Sequence, residues 1–456
     1  MKPSRARLTQ GAAGGHIRRM ALPAAAGMFC NIIFSITDAY YAGWLGAEAQ
    51  AALAFSFPLY FIVLSLCVGI SQAVASRAAA ALGGKKSRKA SRLAGQSLIL
   101  AAMVCLFIWL VFLPLTGGML ALLGAKGDAR VWAEEYSGII FGGAPAFLGA
   151  YALNGALQAG GNTTAFRNSI AAAAAFNIIL DPALMFGWFG LPVLGVAGIA
   201  YATVIAQAGC AAYLLHALSG TAVARRWRRQ YLRPHWRLLG VLAAQAAPAA
   251  GRMLCINAGF FIITAFVGYF SAAAVAGYGI ALRLEQLFLV PMISLETAML
   301  AYAGQNFGGR RPARVAAAYF LCLKKGWTVM AAGAVTFIAG GGFLTGLFSA
   351  EEEVIRQGRN YLLLAAAAGP LYVVTTVAGS VLMSAGKTGI LLIVNVLRLA
   401  TMPALLSYLL AVKLGMQIPG IWLSLFICNA AAAAFMHRRC LRLLRETVKR
   451  RALAAG

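Results

Sequence analysis

The sequence contains few acidic side chains. Aspartate and glutamate together number 12 in 456 residues, and charged residues of either sign make up 11% of the chain. Soluble domains contain about 25% charged residues, and 61% of this chain is hydrophobic, so the composition is not that of a soluble protein. The phosphate-binding pattern GxxxxGK[ST] is also absent, which argues against direct use of ATP.

The eight cysteines include no CxxC pair and are scattered mostly through apolar segments. This pattern is typical of small buried side chains rather than of disulfides or metal ligands. None of the four histidines, His16, His216, His235 and His437, is predicted at mid-membrane with an acidic residue nearby in sequence. We therefore expect no catalytic residue, no metal site and no cofactor, and hence a protein that is not an enzyme.

Long apolar segments recur along the whole chain. A helix of about 20 apolar residues crosses the hydrocarbon layer of a membrane, which is about 30 Å thick, and segments this apolar must be helical there to satisfy their backbone hydrogen bonds. The sequence therefore predicts an all-α integral membrane protein with twelve transmembrane helices. Their predicted limits are 20–44, 51–78, 94–122, 131–158, 164–189, 194–218, 238–269, 273–303, 316–346, 354–384, 388–412 and 418–437.

The chain also matches itself at an offset of 225 residues. Proline and glycine mark kinks and turns, so their shared positions indicate two copies of one backbone path. Six spans per copy give both copies the same orientation and leave a cleft between two bundles that can rock. The predicted parts are an N-lobe over 1–218, a cytoplasmic linker over 219–237 and a C-lobe over 238–456. Paired positions include Pro23 and Pro248, Gly43 and Gly268, Pro145 and Pro370, Tyr136 and Tyr361, and Gly195 and Gly420.

Basic residues give the chain a net charge of +27 and cluster on one predicted side of the membrane. An excess of Lys and Arg marks cytoplasmic loops, so we expect a multi-pass protein of the inner (plasma) membrane with both termini in the cytoplasm. The charge then contacts membrane lipids rather than nucleic acid, and we expect a monomer with a small-molecule substrate. The clusters include Lys2, Arg5, Arg7, Arg18, Arg19, Lys85, Lys86, Arg88, Lys89, Arg92, Arg225, Arg226, Arg228, Arg229, Arg310, Arg311 and Arg314.

Four acids lie more than five residues from either end of a predicted span, and two of them are in the first half, Asp38 and Asp181. A charged group at membrane depth is costly and marks a functional candidate. Asn177 lies four residues before Asp181 and therefore on the same helix face, and Thr203 reaches a similar level. We interpret these four residues as an oxygen-rich cluster that loads a proton or a small cation; the alternative is a structural polar cluster. The second copy carries Ile263 and Leu406 at the positions of the two aspartates.

The C-lobe carries its own charged residues within apolar spans. Arg283 and Glu285 are too close in sequence to face each other on one helix, so each is expected to pair elsewhere. A structural ion-pair network and substrate contact in the cleft are the two interpretations. The residues concerned are Arg252, Arg283, Glu285, Glu296 and Arg398.

Pro23 lies within the first predicted span. Proline removes one helical hydrogen bond and permits bending, so ion binding at Asp38 could change which bend is favoured. Pro248 occupies the matching place in the copy that lacks the aspartate, and this favours a purely structural role as the alternative.

Several segments resemble the multidrug and toxic compound extrusion (MATE) family. They are ITDAYYAGWLG (36–46), SRAAAALGGKKSRKA (76–90), NGALQAGGNTTAFRN (154–168), NIILDPALMFG (177–187), GVAGIAYATVIAQ (195–207) and AGQNFGGRRPAR (303–314). The resemblance covers nearly the whole chain. It implies two six-helix bundles that form a V-shaped cleft, and antiport of drug-like organic compounds against H⁺ or Na⁺.

Within that family the chain is most similar to the DinF-like prokaryotic branch. The resemblance implies ion coupling at the first-lobe cluster, with Tyr136 and Asn154 at polar positions near it. The NorM-like branch uses a second-lobe acid pair, whereas the matching regions here, PAAGRMLCINAG (248–259) and YVVTTVAGSV (372–381), contain no acid. Glu285 or Glu296 is the candidate substitute for that pair.

Three other functions stay open on the sequence. A lipid-linked oligosaccharide flippase of the wider superfamily favours a cationic cleft, for which Arg252, Arg283 and Arg398 are available. Ion-coupled transport of another small metabolite is a second possibility. A membrane-embedded prenyltransferase is the third, because Asn177 and Asp181 resemble half of an Asp-rich diphosphate site, but its chemistry needs paired acidic motifs to hold Mg²⁺.

Overall fold

The computed structural model describes residues 8–221, 223–224 and 228–453, and over these ranges the chain is helical and contains no strand. Arg225 and Arg226 of the predicted linker lie outside the described residues, as do Lys2, Arg5 and Arg7. The α-helices are α1 (Ala13–Trp44), α2 (Ala47–Gly83), α3 (Ser87–Phe107), α4 (Leu113–Leu122), α5 (Gly127–Gly142), α6 (Ala144–Ala159), α7 (Thr164–Phe186), α8 (Val196–Ser219), α9 (Trp236–Phe270), α10 (Ala272–Gly308), α11 (Pro312–Gly346), α12 (Glu352–Ser384), α13 (Thr388–Val396), α14 (Met402–Ser407) and α15 (Gln417–Leu453).

The predicted number of spans is confirmed within the described ranges. Eleven helices are long and apolar enough to cross a membrane when α3 with α4, and α13 with α14, are each counted as one helix continued through a π-helical segment. The count is twelve when the bent pair α5 and α6 is one span. That pair turns by 47° at Gly143. Pro145 follows directly, in the first turn of α6, where a proline needs no backbone donor.

Several helices run further than their apolar segments. Helix α1 begins at Ala13 and α3 at Ser87, each seven residues before the predicted span, and α15 continues to Leu453 through the basic tail. An α-helix satisfies its own backbone hydrogen bonds and therefore continues into water. Hydropathy marks the part of a helix that lies in lipid, and the helix end is set by other residues.

The chain packs into two compact units. The first comprises Pro23–Ala250, and the second comprises Leu8–Leu22 together with the residues from Gly251 onward. Helix α1 therefore belongs to the second unit up to Leu22 and to the first unit from Pro23. Helix α9 belongs to the first unit up to Ala250, two residues beyond Pro248. The predicted lobes divide the chain at the boundary of its repeat. The packed units divide it differently, because the opening segment of each repeat belongs to the unit that consists mainly of the other repeat.

Within the second unit, backbone groups hold the segment that precedes α1. The Leu8 N–H donates to Gln305 Oε1 (3.1 Å), and Asn306 Nδ2 donates to the Leu8 carbonyl oxygen (3.2 Å). Arg314 Nη2 donates to the Gly11 carbonyl oxygen (2.6 Å). Residues from the end of α10 and the start of α11 thus fix the approach to α1.

Helices α7 and α8 of the first unit lie in close contact. Helix α8 lies against α7 at Gly198, where an added Cβ would be 2.7 Å from the Leu184 carbonyl carbon. A side chain at that position would separate the two backbones. The glycine therefore allows α8 to approach α7, which carries Asn177 and Asp181.

Candidate functional site

Helices α1 and α7 bring two carboxylates of the first unit together. Asn177 Nδ2 donates to Asp38 Oδ1 (2.6 Å) and to Asp181 Oδ2 (2.8 Å). One amide nitrogen therefore bridges both acids, as the four-residue spacing of Asn177 and Asp181 predicted. We call Asp38, Asn177, Asp181 and Thr203 the acidic cluster.

Buried oxygen atoms without donors surround this bridge. Asn177 and Asp181 are fully buried, and Thr203 is 1% exposed. Asn177 Oδ1 and Asp181 Oδ1 have no hydrogen-bond partner among the described residues. Buried polar atoms in proteins are almost always satisfied, so these oxygens form a set of acceptors that a cation would complete.

Thr203 lies beside the carboxylate of Asp38. It is buried there, and its hydroxyl group can donate a hydrogen bond to that carboxylate. The Asn177 bridge joins α1 and α7, and Thr203 approaches the same place from α8.

The sequence analysis did not single out two polar residues of these helices. Gln207 lies four residues after Thr203 on α8, is 4% exposed, and its Oε1 has no hydrogen-bond partner in the described part of the chain. The Tyr41 hydroxyl donates to the Ile178 carbonyl oxygen (2.9 Å) and ties α1 to α7. Spacings of four residues from Thr203 and three residues from Asp38 place them on the same helix faces as those residues, and this was the signal that could have identified them.

The two predicted supporting residues differ in their surroundings. Tyr136 is 6% exposed and lies near both Asp38 and Asp181. Asn154 is half-buried, and its side chain makes no hydrogen bond to the described part of the chain. Of the two, Tyr136 is the one that the structure places at the acidic cluster.

Among the described residues of the second unit, the predicted ion-pair network reduces to one partly buried pair. Arg252 Nη2 lies 2.8 Å from Glu296 Oε1. Glu285 instead accepts a hydrogen bond from the Tyr361 hydroxyl (2.7 Å). Arg283 is exposed and forms no ion pair with any described residue, because it lies on a different face of α10 from the buried Glu285.

A small, partly open pocket of about 40 Å³ lies within the second unit. Arg252, Glu296 and Arg398 line it together with Thr375 and Asn395. Three of the five charged residues predicted in the C-lobe therefore converge on one pocket. We call it the arginine pocket.

Twelve spans, an internal duplication and buried polar sites within apolar bundles define a membrane transporter. A profile of the MatE family matches residues 23–183 and again 248–409. The two matches begin 225 residues apart, which reproduces the repeat. The chain belongs to this family, the multidrug and toxic compound extrusion transporters, and is a transporter rather than an enzyme.

Known proteins resemble the chain over nearly its whole length. The FAD transporter of Shewanella oneidensis is 28% identical over 432 residues, which cover 91% of this chain and 92% of that protein. The probable multidrug resistance protein NorM of Bradyrhizobium diazoefficiens is 28% identical over 446 residues, covering 94% and 93%. A solved structure of a multidrug resistance MATE family transporter in an outward-facing conformation matches with a TM-score of 0.90 and 21% identity, covering 98% and 99%.

Proposed function

We propose that this transporter is a secondary antiporter that exports drug-like organic compounds, cationic or amphipathic, in exchange for H⁺ or Na⁺. The acidic cluster is the observation that carries the proposal. Two carboxylates share one amide donor, and neither forms an ion pair with a described Lys or Arg residue. A pair of negative charges in an apolar bundle needs a cation, and the unsatisfied oxygens are suitable ligands for one.

The proposed cycle uses this need for a cation. An ion enters from outside and binds at Asp38 and Asp181, where it cancels one of their two negative charges. This change weakens substrate binding and releases the exported compound. The two lobes then rock, the ion leaves to the cytoplasm, and a new substrate molecule binds. One charge moving across 100 mV supplies about 2.3 kcal/mol, which drives export without ATP.

The proposed substrate class is supported by relatives with different printed names. One is called a multidrug resistance protein and another an FAD transporter. Both names refer to organic compounds, and sites for small organic molecules are mostly apolar pockets with a few polar groups. We assign a small organic molecule as the substrate and no cofactor other than the coupling ion.

The proposed orientation follows the basic residues. Arg88 and Lys89 in the first turn of α3 and Arg310 and Arg311 after α10 lie on the side that we assign to the cytoplasm. Both termini are then cytoplasmic, in the inner (plasma) membrane. The protein is proposed to act as a monomer in contact with membrane lipids.

Asp38→Asn tests the coupling role. In proteoliposomes with an imposed proton or Na⁺ gradient, efflux of ethidium should fall at least about tenfold, because the amide cannot be neutralised by a proton and supplies less negative charge to Na⁺. Asp128→Asn is the matched control, since Asp128 is exposed in the first turn of α5. Gel filtration checks that both variants are folded. Normal gradient-driven efflux by Asp38→Asn would show that the cluster is structural.

A further inference from the structure

Arg398 is a charged side chain of the second unit that lacks an acidic partner. Its Nη1 donates to Thr375 Oγ1 (3.0 Å), and its guanidinium carbon lies 5.9 Å from the centre of the Tyr372 ring. No carboxylate lies within 4.0 Å of it among the described residues, and its Nε has no hydrogen-bond partner. Placing a cation at membrane depth costs several kcal/mol of free energy, so an arginine at such a position is expected to have a function.

The helix that carries Arg398 is irregular at this point. Residues Leu397–Thr401 form a π-helical segment, in which the Met402 N–H donates to the Leu397 carbonyl oxygen. Pro403 follows in the first turn of α14 and cannot donate to the carbonyl four residues earlier, at Leu399. Such π-helical segments occur frequently at functional sites.

Helix α9 packs directly against this irregular segment. A Cβ added to Gly259 would lie 2.3 Å from the Leu399 carbonyl oxygen. Any side chain at position 259 would therefore push the two backbones apart. The glycine keeps the π-helical segment next to α9, whose Arg252 lines the same pocket as Arg398.

The arginine pocket has an excess of positive charge. Its charged lining residues within the described chain are Arg252, Glu296 and Arg398. Arg252 neutralises Glu296 through a 2.8 Å contact, and Arg398 is near enough to Arg252 for the two cations to repel each other. An anion beside Arg398 would remove this repulsion and satisfy the unpaired Nε–H.

The rest of the pocket suits an organic molecule. Met383, Leu391, Val394 and Met436 supply apolar surface beside the charged groups. Methionine side chains adapt to differently shaped ligands, and a few polar groups in an apolar wall fix a ligand's orientation.

We infer that the arginine pocket binds a phosphate or carboxylate group of the exported compound, with Arg398 as the principal contact. This inference rests on the proposed export function and, among its amphipathic substrates, points to organic anions and zwitterions. Arginine suits the role because its planar donors match both oxygens of a phosphate or carboxylate.

The first copy of the repeat has no charged residues at the positions equivalent to the three charged residues of the arginine pocket. The residues 225 positions before Arg252, Glu296 and Arg398 are Gly27, Ser71 and Ala173. A charge needed only to hold a six-helix bundle together would not be expected in one copy alone. The arginine pocket is therefore specific to the second copy, as the acidic cluster is to the first.

Riboflavin and riboflavin 5′-phosphate form a matched pair of probes, because they share one fluorophore and differ only in the phosphate group. Their affinities for the full-length protein in phosphatidylcholine nanodiscs are measured by fluorescence polarisation without any ion gradient. The wild type should bind the phosphate form at least about tenfold more tightly, equivalent to about 1.4 kcal/mol. Arg398→Gln should abolish this preference, whereas Arg398→Lys should retain part of it.

Arg283→Gln is the matched control, because it removes one positive charge from an exposed position of the same unit. It should keep the preference. Because the binding assay uses no ion gradient, failure of ion coupling in the efflux assay and failure of the arginine pocket give different results. Equal affinities of the wild type for both flavins, or an unchanged preference in Arg398→Gln, would overturn the inference. Loss of the preference in nanodiscs containing phosphatidylglycerol would assign the pocket to a lipid headgroup and also overturn it.

Discussion

Replacement of Asn177 by alanine removes the donor that joins Asp38 to Asp181. The amide nitrogen lies 2.6 Å from one carboxylate and 2.8 Å from the other, and the side chain is fully buried. Replacing this buried donor with a water molecule costs free energy. The substitution therefore acts directly on the stability of the ion-free, doubly negative cluster.

The size of the effect follows from the hydrogen bonds lost. A hydrogen bond to a charged group contributes about 1.5–3 kcal/mol, so losing even one corresponds to roughly a tenfold to hundredfold change in ion affinity. A bound proton reduces the negative charge that Asn177 stabilises. With H⁺ as the coupling ion, Asn177→Ala should therefore lower the proton concentration needed for half-maximal efflux by about tenfold or more.

The direction of the change identifies the coupling ion. For Na⁺, alanine also removes the unpaired Oδ1 of Asn177, an oxygen ligand of the kind that such cations require. Half-maximal efflux should then need more Na⁺ instead of less. Tighter proton binding should in addition slow release to the cytoplasm and reduce the maximal rate.

The assay is ethidium efflux from proteoliposomes over a series of proton and Na⁺ concentrations. Asn168→Ala is the control, because Asn168 lies on the same helix but is exposed and bonded to Arg167 and Tyr213. If both variants respond to the two ions as the wild type does, the shared donor has no role in ion binding.

Two further substitutions test how the units are held together. Gly198→Val should prevent the close approach of α7 and α8 and lower the yield of folded protein in gel filtration. Gly209→Ala is the control and should be tolerated, because an added Cβ there has no neighbour within 4 Å. Equal yields of the two variants would contradict the packing argument. Arg314→Ala should speed amide hydrogen exchange around Gly11, because it removes a 2.6 Å hydrogen bond to the Gly11 carbonyl oxygen. Lys324→Ala, at an exposed site, is the control and should leave the exchange rate unchanged. An unchanged rate in Arg314→Ala would show that the other contacts are enough to hold this segment in place.

Hydropathy and the repeat predicted most of the fold, because both report on one-dimensional properties of the chain. Apolar length identifies a span, and shared Pro and Gly positions identify a repeated backbone path. Neither reports which neighbour a helix packs against. The assignment of Leu8–Leu22 to the second unit depends on contacts of Leu8 with Gln305 and Asn306, nearly 300 residues away, and no local pattern specifies them.

The acidic cluster was predictable for a different reason. A buried acid in an apolar helix must find a partner, and the four-residue spacing of Asn177 and Asp181 fixed one partner locally. The geometry of the C-lobe arginines was not predictable in this way. Whether Arg283 points outward and Arg398 inward depends on helix rotation and on the π-helical segment around Arg398.

The two polar sites also constrain how transport can be coupled. The acidic cluster consists of residues of the first unit, and the arginine pocket consists of residues of the second. Because they share no side chain, an ion at Asp38 cannot displace a substrate anion from Arg398 by competing for the same group. Coupling between the proposed sites must then arise from a conformational equilibrium that both ligands bias, with the same coupling free energy acting in each direction. Under that scheme, a saturating coupling ion should weaken the binding of riboflavin 5′-phosphate in wild-type protein by a finite factor that reaches a plateau, whereas direct competition would weaken it without limit as the ion concentration rises.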